Sequence, residues 1–249
     1  MIVCLSNLKI KDKTMPTIVI TGGSRGIGRS LVNKFAGEGY SIATCSRNID
    51  ELNRLKVELE SRHKDIKILV RACDVSKKEQ IDAFGDMVLT ELGIPDILIN
   101  NTGIFLPGKI LSEESNVFES QIDTNLASAY HLTRKLAPGM VAKRSGYIFN
   151  LGSIASVTAY ANGGSYTISK FGILGFSKVL REEMKEHHIR VTAVLPGATL
   201  TSSWEGTDLP DERFINPEDL ASLIHFMAIS PTSMVVEEIL IRPLLGDIV

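Results

Sequence analysis

Cysteine is rare in this sequence, and neither sign of charge is in excess. Only three of the 249 residues are cysteines, Cys4, Cys45 and Cys73. An odd number of widely spaced cysteines fits neither a disulfide framework nor a zinc site, so we expect no metal and a reduced, cytoplasmic location. Lys and Arg total 27 against 29 Asp and Glu. This balance argues against nucleic acid or an anionic membrane as a partner.

Long apolar runs and interdomain linkers are also missing. No stretch approaches the ~18 consecutive apolar residues of a membrane span, and Ile2–Leu5 is too short for a secretory signal. No linker rich in Pro, Gly or Ser and no internal repeat divides the chain. We therefore predict that residues 1–14 are a flexible N-terminal extension or a start-codon artefact. Residues 15–249 are predicted to form one domain that holds the cofactor and substrate sites together.

Short β-branched runs alternate with longer amphipathic stretches along this domain. The runs predict strands at Thr17–Ile20, Ser41–Cys45, Ile66–Ala72, Asp96–Ile99, Tyr147–Phe149, Arg190–Leu195 and Glu238–Ile241. Apolar residues spaced three or four apart predict helices between them, with long ones from about Glu119 to Val141 and from about Ser165 to Glu186. Strands that alternate with helices pair in parallel through right-handed crossovers, which predicts a doubly wound α/β domain.

A glycine-rich loop joins the first predicted strand to the first helix. It reads Thr21-Gly22-Gly23-Ser24-Arg25-Gly26-Ile27-Gly28, in the place of a dinucleotide-binding loop but with a different glycine spacing. Residues without a Cβ let a pyrophosphate approach the backbone, where the N–H groups of the helix N-terminus favour an anion. The alternative is a plain tight turn.

The end of the second predicted strand indicates which cofactor binds. An NAD site usually has a carboxylate about 20 residues after the glycines, whereas this strand ends in Ser46 and Arg47 without an acid. A guanidinium pairs well with a 2′-phosphate, and Arg25 can contact the same phosphate. The sequence therefore favours NADP(H). The alternative is two solvated surface arginines.

Three polar residues later in the chain point to catalysis. Tyr166 and Lys170 stand four residues apart on one face of a predicted helix, and Ser153 follows a predicted strand. With the glycine loop, Asn100-Asn101-Thr102-Gly103 and Pro196-Gly197, this order and spacing resemble the short-chain dehydrogenase/reductase family from Met15 onward. The chain is similar to 3-oxoacyl-(acyl-carrier-protein) reductases and to NADP-dependent 3-hydroxy acid dehydrogenases. Thr102 stands where alanine is usual.

The resemblance implies a fold, a reaction and roles for individual residues. The fold is a single Rossmann-type doubly wound domain with a seven-stranded, mainly parallel sheet. The reaction is hydride transfer between NADP(H) and a ketone or secondary alcohol of a small-molecule substrate. The implied catalytic residues are Asn125, which holds a water, Ser153, Tyr166 and Lys170. The implied cofactor-binding residues are Gly22, Ser24, Arg25, Gly26, Ile27, Gly28, Ser46, Arg47, Asp74, Val75, Asn101, Gly103, Tyr166, Lys170, Pro196, Gly197, Thr199 and Thr201.

The residue chemistry agrees with these roles. Tyrosine, with a pKa of ~10, is a poor acid near neutrality, and an ammonium ~4 Å away stabilises its phenolate by up to ~4 kcal/mol at an effective dielectric of 20. We therefore expect Lys170 to lower the pKa of Tyr166, and Ser153 to stabilise negative charge on the substrate oxygen. Taken singly, each residue has a structural alternative: a packed aromatic, a solvated lysine, a helix N-cap or, for Asp74, a turn aspartate.

The sequence leaves other functions and the substrate open. A protein that binds NADP without turnover, as a redox sensor, is the main alternative to an enzyme, and a purely structural partner protein is another. A 3-oxoacyl thioester and a small 3-hydroxy acid are both candidate substrates. The short segment from Thr201 to Pro217 and a C-terminus without paired glycines argue against the thioester.

The two long predicted helices carry apolar residues on more than one face. These are Ile122, Leu126, Ala129 and Leu132 on the first helix, and Ile168, Phe171, Leu174 and Val179 on the second. One sheet covers one stripe of a helix, so the rest needs another partner. Together with the resemblance, this predicts a homodimer or homotetramer. Coverage by loops of the same chain is the alternative.

Overall fold

Seven strands and seven α-helices alternate along residues 15–248, the part of the chain that the computed structural model describes. The strands are β1 (Thr17–Thr21), β2 (Ser41–Ser46), β3 (Ile68–Ala72), β4 (Ile97–Asn100), β5 (Gly146–Leu151), β6 (Ile189–Pro196) and β7 (Glu238–Ile241). The helices are α1 (Gly26–Gly37), α2 (Ile49–Arg62), α3 (Lys78–Glu91), α4 (Val117–Ile122), α5 (Ser128–Lys143), α6 (Gly164–Met184) and α7 (Pro217–Ala228). The predicted extension, residues 1–14, lies outside the described residues.

All seven strands form one parallel sheet in the order β3-β2-β1-β4-β5-β6-β7. The predicted Rossmann-type fold is thus confirmed. Within the sheet, Val19 of β1 pairs with Ala43 of β2 on one side and with Leu98 of β4 on the other. The chain adds β2 and β3 on one side of β1 and then β4 to β7 on the other, so the strand order reverses at β1. Such a reversal opens a crevice at the carboxyl ends of the strands, where ligands bind.

Helices cover both faces of the sheet. On one face Phe35 of α1 and Ile224 of α7 pack with Ile20 of β1; on the other, Phe84 of α3 and Leu136 of α5 pack with Val19 and neighbouring residues. Because the central strands are buried on both sides, they read as continuous apolar runs rather than alternating ones. This explains why the strand predictions were reliable.

The structure differs from the predictions at several element boundaries. The third strand begins at Ile68 rather than Ile66. The helix predicted from about Glu119 is a series of three elements: α4, a π-helical turn at Asp123–Ala127, and α5. A single π-helical turn within a helix is frequent at functional sites, and this one contains Asn125. No helix of the described chain is long and apolar enough to cross a membrane.

Candidate active site

A cleft of about 960 Å³ lies at the carboxyl ends of the strands beside β1. Its lining includes thirteen of the residues implied to bind the cofactor: Gly22, Ser24, Arg25, Gly26, Ile27, Gly28, Ser46, Arg47, Asp74, Val75, Asn101, Gly103 and Thr201. The volume is at the upper end of the range for small-molecule and cofactor sites. The fold therefore brings together residues as far apart in the chain as Gly22 and Thr201.

The glycine loop leaves the N-terminus of α1 open to an anion. Gly26 has a φ of 54°, a left-handed conformation that favours glycine. A Cβ at Gly28 would lie 2.1 Å from the carbonyl oxygen of Gly22, so no larger residue fits there. No side chain caps α1 at Arg25, and its first turn has no acidic residue. The N–H groups of the first turn are thus available to a phosphate.

Two cations of the cleft have no acidic partner. Arg25 and Arg47 are both exposed, and within residues 15–248 neither forms an ion pair. Arg47 acts on a nearby acid: burial tends to raise the pKa of Asp74, but hydrogen bonds from Ser76 and the charges of Arg47 and Lys77 outweigh it and lower the pKa. Unpaired guanidinium groups beside an uncapped helix suit a ligand with several phosphates.

Asp74 also has a structural role. Its Oδ1 accepts hydrogen bonds from the backbone N–H of Ser76, at 3.0 Å, and from the Ser76 hydroxyl, at 2.8 Å. The turn-aspartate interpretation is therefore correct for one oxygen. Because Asp74 also lines the cleft, contact of the carboxylate with an adenine remains a prediction.

Lys170 lies at the inner border of the cleft. Its side chain is 5% exposed, and Nζ donates a hydrogen bond to the carbonyl oxygen of Leu151 at 3.1 Å. A Cβ on Gly103 would lie 3.4 Å from this Nζ and 3.4 Å from Oδ1 of Asn125, so both groups lie directly behind Gly103, a residue of the cleft lining. Burial lowers the pKa of Lys170 to about 8.

Tyr166 lies one helical turn before Lys170 on α6. Nζ of Lys170 is 5.7 Å from the centroid of the Tyr166 ring. The rings of Phe105 and Tyr166 pack edge to face, with their centroids 4.8 Å apart. Burial raises the pKa of Tyr166, and a hydrogen bond with Ser153 partly offsets this. The net lowering of the Tyr166 pKa that was expected from Lys170 is therefore not found in this structure, because burial of the phenol outweighs the effects that lower its pKa.

Ser153 and Asn125 combine structural and site contacts. Ser153 caps a short 3₁₀ turn, where its Oγ accepts from the N–H of Ala155 at 3.1 Å, and it also reaches Tyr166. Asn125 is buried: its Nδ2 donates to the Ile104 carbonyl at 3.0 Å and to Oγ of Ser169 at 2.9 Å, and its Oδ1 accepts from the Ile104 N–H at 2.8 Å. The Asn125 amide is thus occupied by protein partners, and its role in holding a water stays a prediction.

Five of the implied cofactor residues are outside the cleft lining: Tyr166 and Lys170, described above, and three others. Pro196, Gly197 and Thr199 are not part of the cleft lining. The Gly197 N–H donates to the carbonyl of Ile241 at 2.7 Å, and the Thr199 hydroxyl donates to the Gly197 carbonyl at 3.1 Å. These bonds stabilise the turn after β6. Contact of Pro196, Gly197 and Thr199 with a nicotinamide remains a prediction.

The cleft also has lining residues that the sequence reasoning missed. Among them are Lys77, Glu119, Asp123, Ser202 and Ser203. Each lies just after a strand or on the long connection that follows one, so position relative to the strand ends was the only signal available.

The fold and the cleft together are typical of the nucleotide-binding α/β class. Residues 16–210 match the family model described as short chain dehydrogenase, and the chain belongs to this family. It is 30% identical to a sepiapterin reductase from Chlorobaculum tepidum over 241 residues, which cover 93% of this chain and 97% of that one.

Solved structures support the same assignment. A metagenomic short-chain oxidoreductase in complex with NADP superposes with a TM-score of 0.80 at 30% identity, covering 92% of this chain and 96% of that one. The L-sorbose reductase from Gluconobacter frateurii, complexed with NADPH and L-sorbose, has a TM-score of 0.86 at 28% identity, covering 94% and 96%.

Proposed function

We propose that the protein is an NADP(H)-dependent oxidoreductase that transfers a hydride between the cofactor and a ketone or secondary alcohol. The observation that carries this proposal is the convergence of Ser153, Tyr166 and Lys170 at the border of a cleft with an uncapped helix N-terminus. Gly103 belongs to the cleft lining and faces Lys170. One site therefore offers both a phosphate-binding region and a proton donor.

The unpaired arginines favour NADP(H) over NAD(H). Arg25 and Arg47 have no acidic partner within residues 15–248, and Ser46 takes the place of the carboxylate that holds a ribose in NAD sites. Two solved relatives are complexes with NADP or NADPH. A charge-assisted hydrogen bond to the 2′-phosphate contributes about 1.5–3 kcal/mol, which is at least about tenfold in affinity.

The residues of the site perform the proton chemistry. When bound, the nicotinamide supplies or accepts the hydride. Tyr166 donates its hydroxyl proton to the substrate oxygen as negative charge develops there, and Ser153 donates a hydrogen bond to the same oxygen. Burial raises the pKa of Tyr166, so the hydroxyl holds its proton until negative charge develops on the substrate oxygen. The ammonium of Lys170, with Nζ 5.7 Å from the centroid of the Tyr166 ring, offsets part of the cost of burying the tyrosinate that remains.

Cofactor binding tests this proposal, with nicotinamide fluorescence as the readout. We expect NADPH to bind at least about tenfold more tightly than NADH, and Ser46→Asp combined with Arg47→Ala to invert the preference. Arg54→Ala is the matched control, because Arg54 is exposed on α2 but does not line the cleft. Equal affinity of the native protein for NADPH and NADH would contradict the NADP assignment. NADPH binding without oxidation by any ketone of a broad panel would favour the redox-sensor alternative.

We further propose a homodimer or homotetramer in a reduced cytoplasm. The outer face of α6 exposes Ile168 at 43%, Phe171 at 46% and Val179 at 59%, next to Tyr130 of α5 at 42%. Of the apolar residues that the sequence places on more than one face of these helices, Ala129, Leu132 and Leu174 are buried within the chain. An apolar face of this kind on the helix of Tyr166 suits a second copy of the chain. Cys45 and Cys73, both free thiols, suit the reducing compartment.

A further inference from the structure

Two aromatic side chains, Phe105 and Tyr160, lie near Tyr166. The ring of Phe105 contacts the ring of Tyr166 at 4.8 Å between centroids. A Cβ on Gly163 would lie 3.4 Å from Cε2 of Tyr160, so the ring of Tyr160 lies against the residue that precedes α6, three positions before Tyr166. Burial raises the pKa of Tyr160 to about 12, so it is a neutral phenol. Phe105 is nevertheless 49% exposed and Tyr160 44% exposed. Large apolar surfaces beside a reacting group, only half covered by the protein, suit an apolar part of a substrate.

The segments that carry Phe105 and Tyr160, and the segment after β6, are poor in cations. Residues 104–116 carry Phe105, residues 153–163 carry Ser153 and Tyr160, and residues 198–215 include Thr201, which contacts the glycine loop. Together they contain two basic residues, Lys109 and Arg213, and six acidic ones, Glu113, Glu114, Glu205, Asp208, Asp211 and Glu212. Arg213 is engaged by the C-terminal segment, where it donates to the carbonyl of Asp247. Apart from the buried ammonium of Lys170, a substrate carboxylate would find few counter-charges here.

The carboxylate of Glu113 already occupies the N-terminus of α6. The N-terminus of α6 begins two residues before Tyr166, and helix N-termini attract anions. The backbone N–H of Ser165 donates to Oε1 of Glu113 at 2.8 Å, and the Ser165 hydroxyl donates to Oε2. Glu113 comes from a segment 52 positions earlier, held against α6 by a second bond from the Gly108 N–H to the Asn162 carbonyl at 2.9 Å.

We propose that this site takes a neutral ketone, or the matching secondary alcohol, with an apolar and preferably aromatic substituent, and that Glu113 disfavours substrates with a carboxylate near the carbonyl. The inference rests on the proposed function of the same site. Phe105 and Tyr160 contact the apolar substituent, and the carboxylate of Glu113 repels a second anion at the first turn of α6. Of the two substrates left open by the sequence, a small 3-hydroxy acid is then disfavoured by its charge.

Two matched pairs of ketones test this with the native enzyme and NADPH. Ethyl acetoacetate and acetoacetate differ in charge beside the same ketone, and 4-phenyl-2-butanone and 2-butanone differ by an aromatic substituent. We expect kcat/KM for the ester to exceed that for the acid by about tenfold or more, and kcat/KM for the phenyl ketone to exceed that for 2-butanone by a similar factor. An acid that reacts as well as the ester would overturn the proposal.

Single substitutions show which residue is responsible for each substrate preference. Glu113→Gln keeps an oxygen acceptor for the Ser165 N–H but removes the charge, so the ratio of ester to acid should fall by about fivefold or more. Glu114→Gln is the control, because Glu114 is an exposed neighbour outside the hydrogen bonds to α6, and the ratio should stay at the native value. Phe105→Ala should lower kcat/KM for the phenyl ketone by about tenfold and that for 2-butanone by less than about threefold.

Failures of the inference and of the proposed function give different results. An unchanged ratio of ester to acid in Glu113→Gln, with an active enzyme, contradicts the role of Glu113 alone. Equal losses for both ketones in Phe105→Ala contradict the apolar contact alone. Absence of turnover for all four ketones, with NADPH bound, contradicts the proposed function, and the inference falls with it. Thermal melting of each variant identifies any that fails to fold.

Discussion

The side-chain nitrogen of Lys170 donates a hydrogen bond to the carbonyl oxygen of Leu151, 3.1 Å away at the end of β5. Leu151 pairs in register with Val194 of β6, so the bond joins the start of α6 to the carboxyl edge of the sheet. This hydrogen bond also fixes the rotation of α6 about its own axis, and therefore the direction in which Tyr166, one turn earlier, points. The same contact therefore positions the candidate proton donor and buries a cation.

Burial of this cation predicts a particular dependence of stability on pH. The pKa of Lys170 is about 8 in the folded protein against a normal value of 10.5. Between these pH values the unfolded chain binds more protons than the folded one, so stability from this group rises with pH across that window. The cost of the buried charge, up to about 3 kcal/mol, is fully present below pH 8 and vanishes above about pH 10.5.

Urea unfolding of the native protein and of Lys170→Met between pH 7 and pH 10 checks this. Methionine fills the same space without a charge, so the native protein should gain free energy of unfolding relative to the variant as the pH rises. A difference that does not change with pH contradicts the buried ammonium.

The close approach of Gly28 to Gly22 predicts a site that tolerates no side chain. In Gly28→Ala the new Cβ would meet the carbonyl oxygen of Gly22 at 2.1 Å, which should destabilise the fold by about 1–3 kcal/mol and weaken NADPH binding. Gly37→Ala is the control on the same helix, since a Cβ there has no neighbour within 4 Å. Urea unfolding and cofactor titration should separate the two variants; equal behaviour would show that the loop adapts.

The exposed apolar face of α6 predicts that assembly depends on Phe171. Phe171→Glu should shift sedimentation equilibrium at micromolar concentration from a dimer or tetramer to a monomer, because a charge cannot be buried unpaired in an interface. Activity should fall with it, since the loosened helix carries Tyr166 and Lys170. Val57→Glu, a change at a residue 69% exposed on α2, should leave the assembly intact. A native protein that sediments as a stable 27.2 kDa monomer defeats the prediction.

The sequence alone predicted the order of the strands and helices well, because buried central strands are recognisable as apolar runs and amphipathic helices as stripes. Ile18–Ile20 and Ile97–Ile99 are examples, and both are central strands. It also placed Tyr166 and Lys170 on one helical face. Local periodicity determines both features, so neither needs knowledge of distant contacts.

The remaining features depend on contacts between distant segments. The bond between Glu113 and Ser165 joins residues 52 positions apart, and the pairing of Asn125 with Ile104 spans 21. The direction of the pKa shift of Tyr166 depends on burial beside Phe105, which no spacing of Tyr and Lys reveals. For the same reason Thr199 could not be recognised as a residue that bonds to its own turn.

The kinetics of Tyr166→Phe test the central claim most directly, because this change removes one oxygen and keeps the ring packed against Phe105. With a ketone that the native protein reduces, the variant should lose at least about 10² in kcat, the usual contribution of a general acid. Its affinity for NADPH should stay close to the native value. Retention of more than about a tenth of the native kcat would contradict Tyr166 as the proton donor.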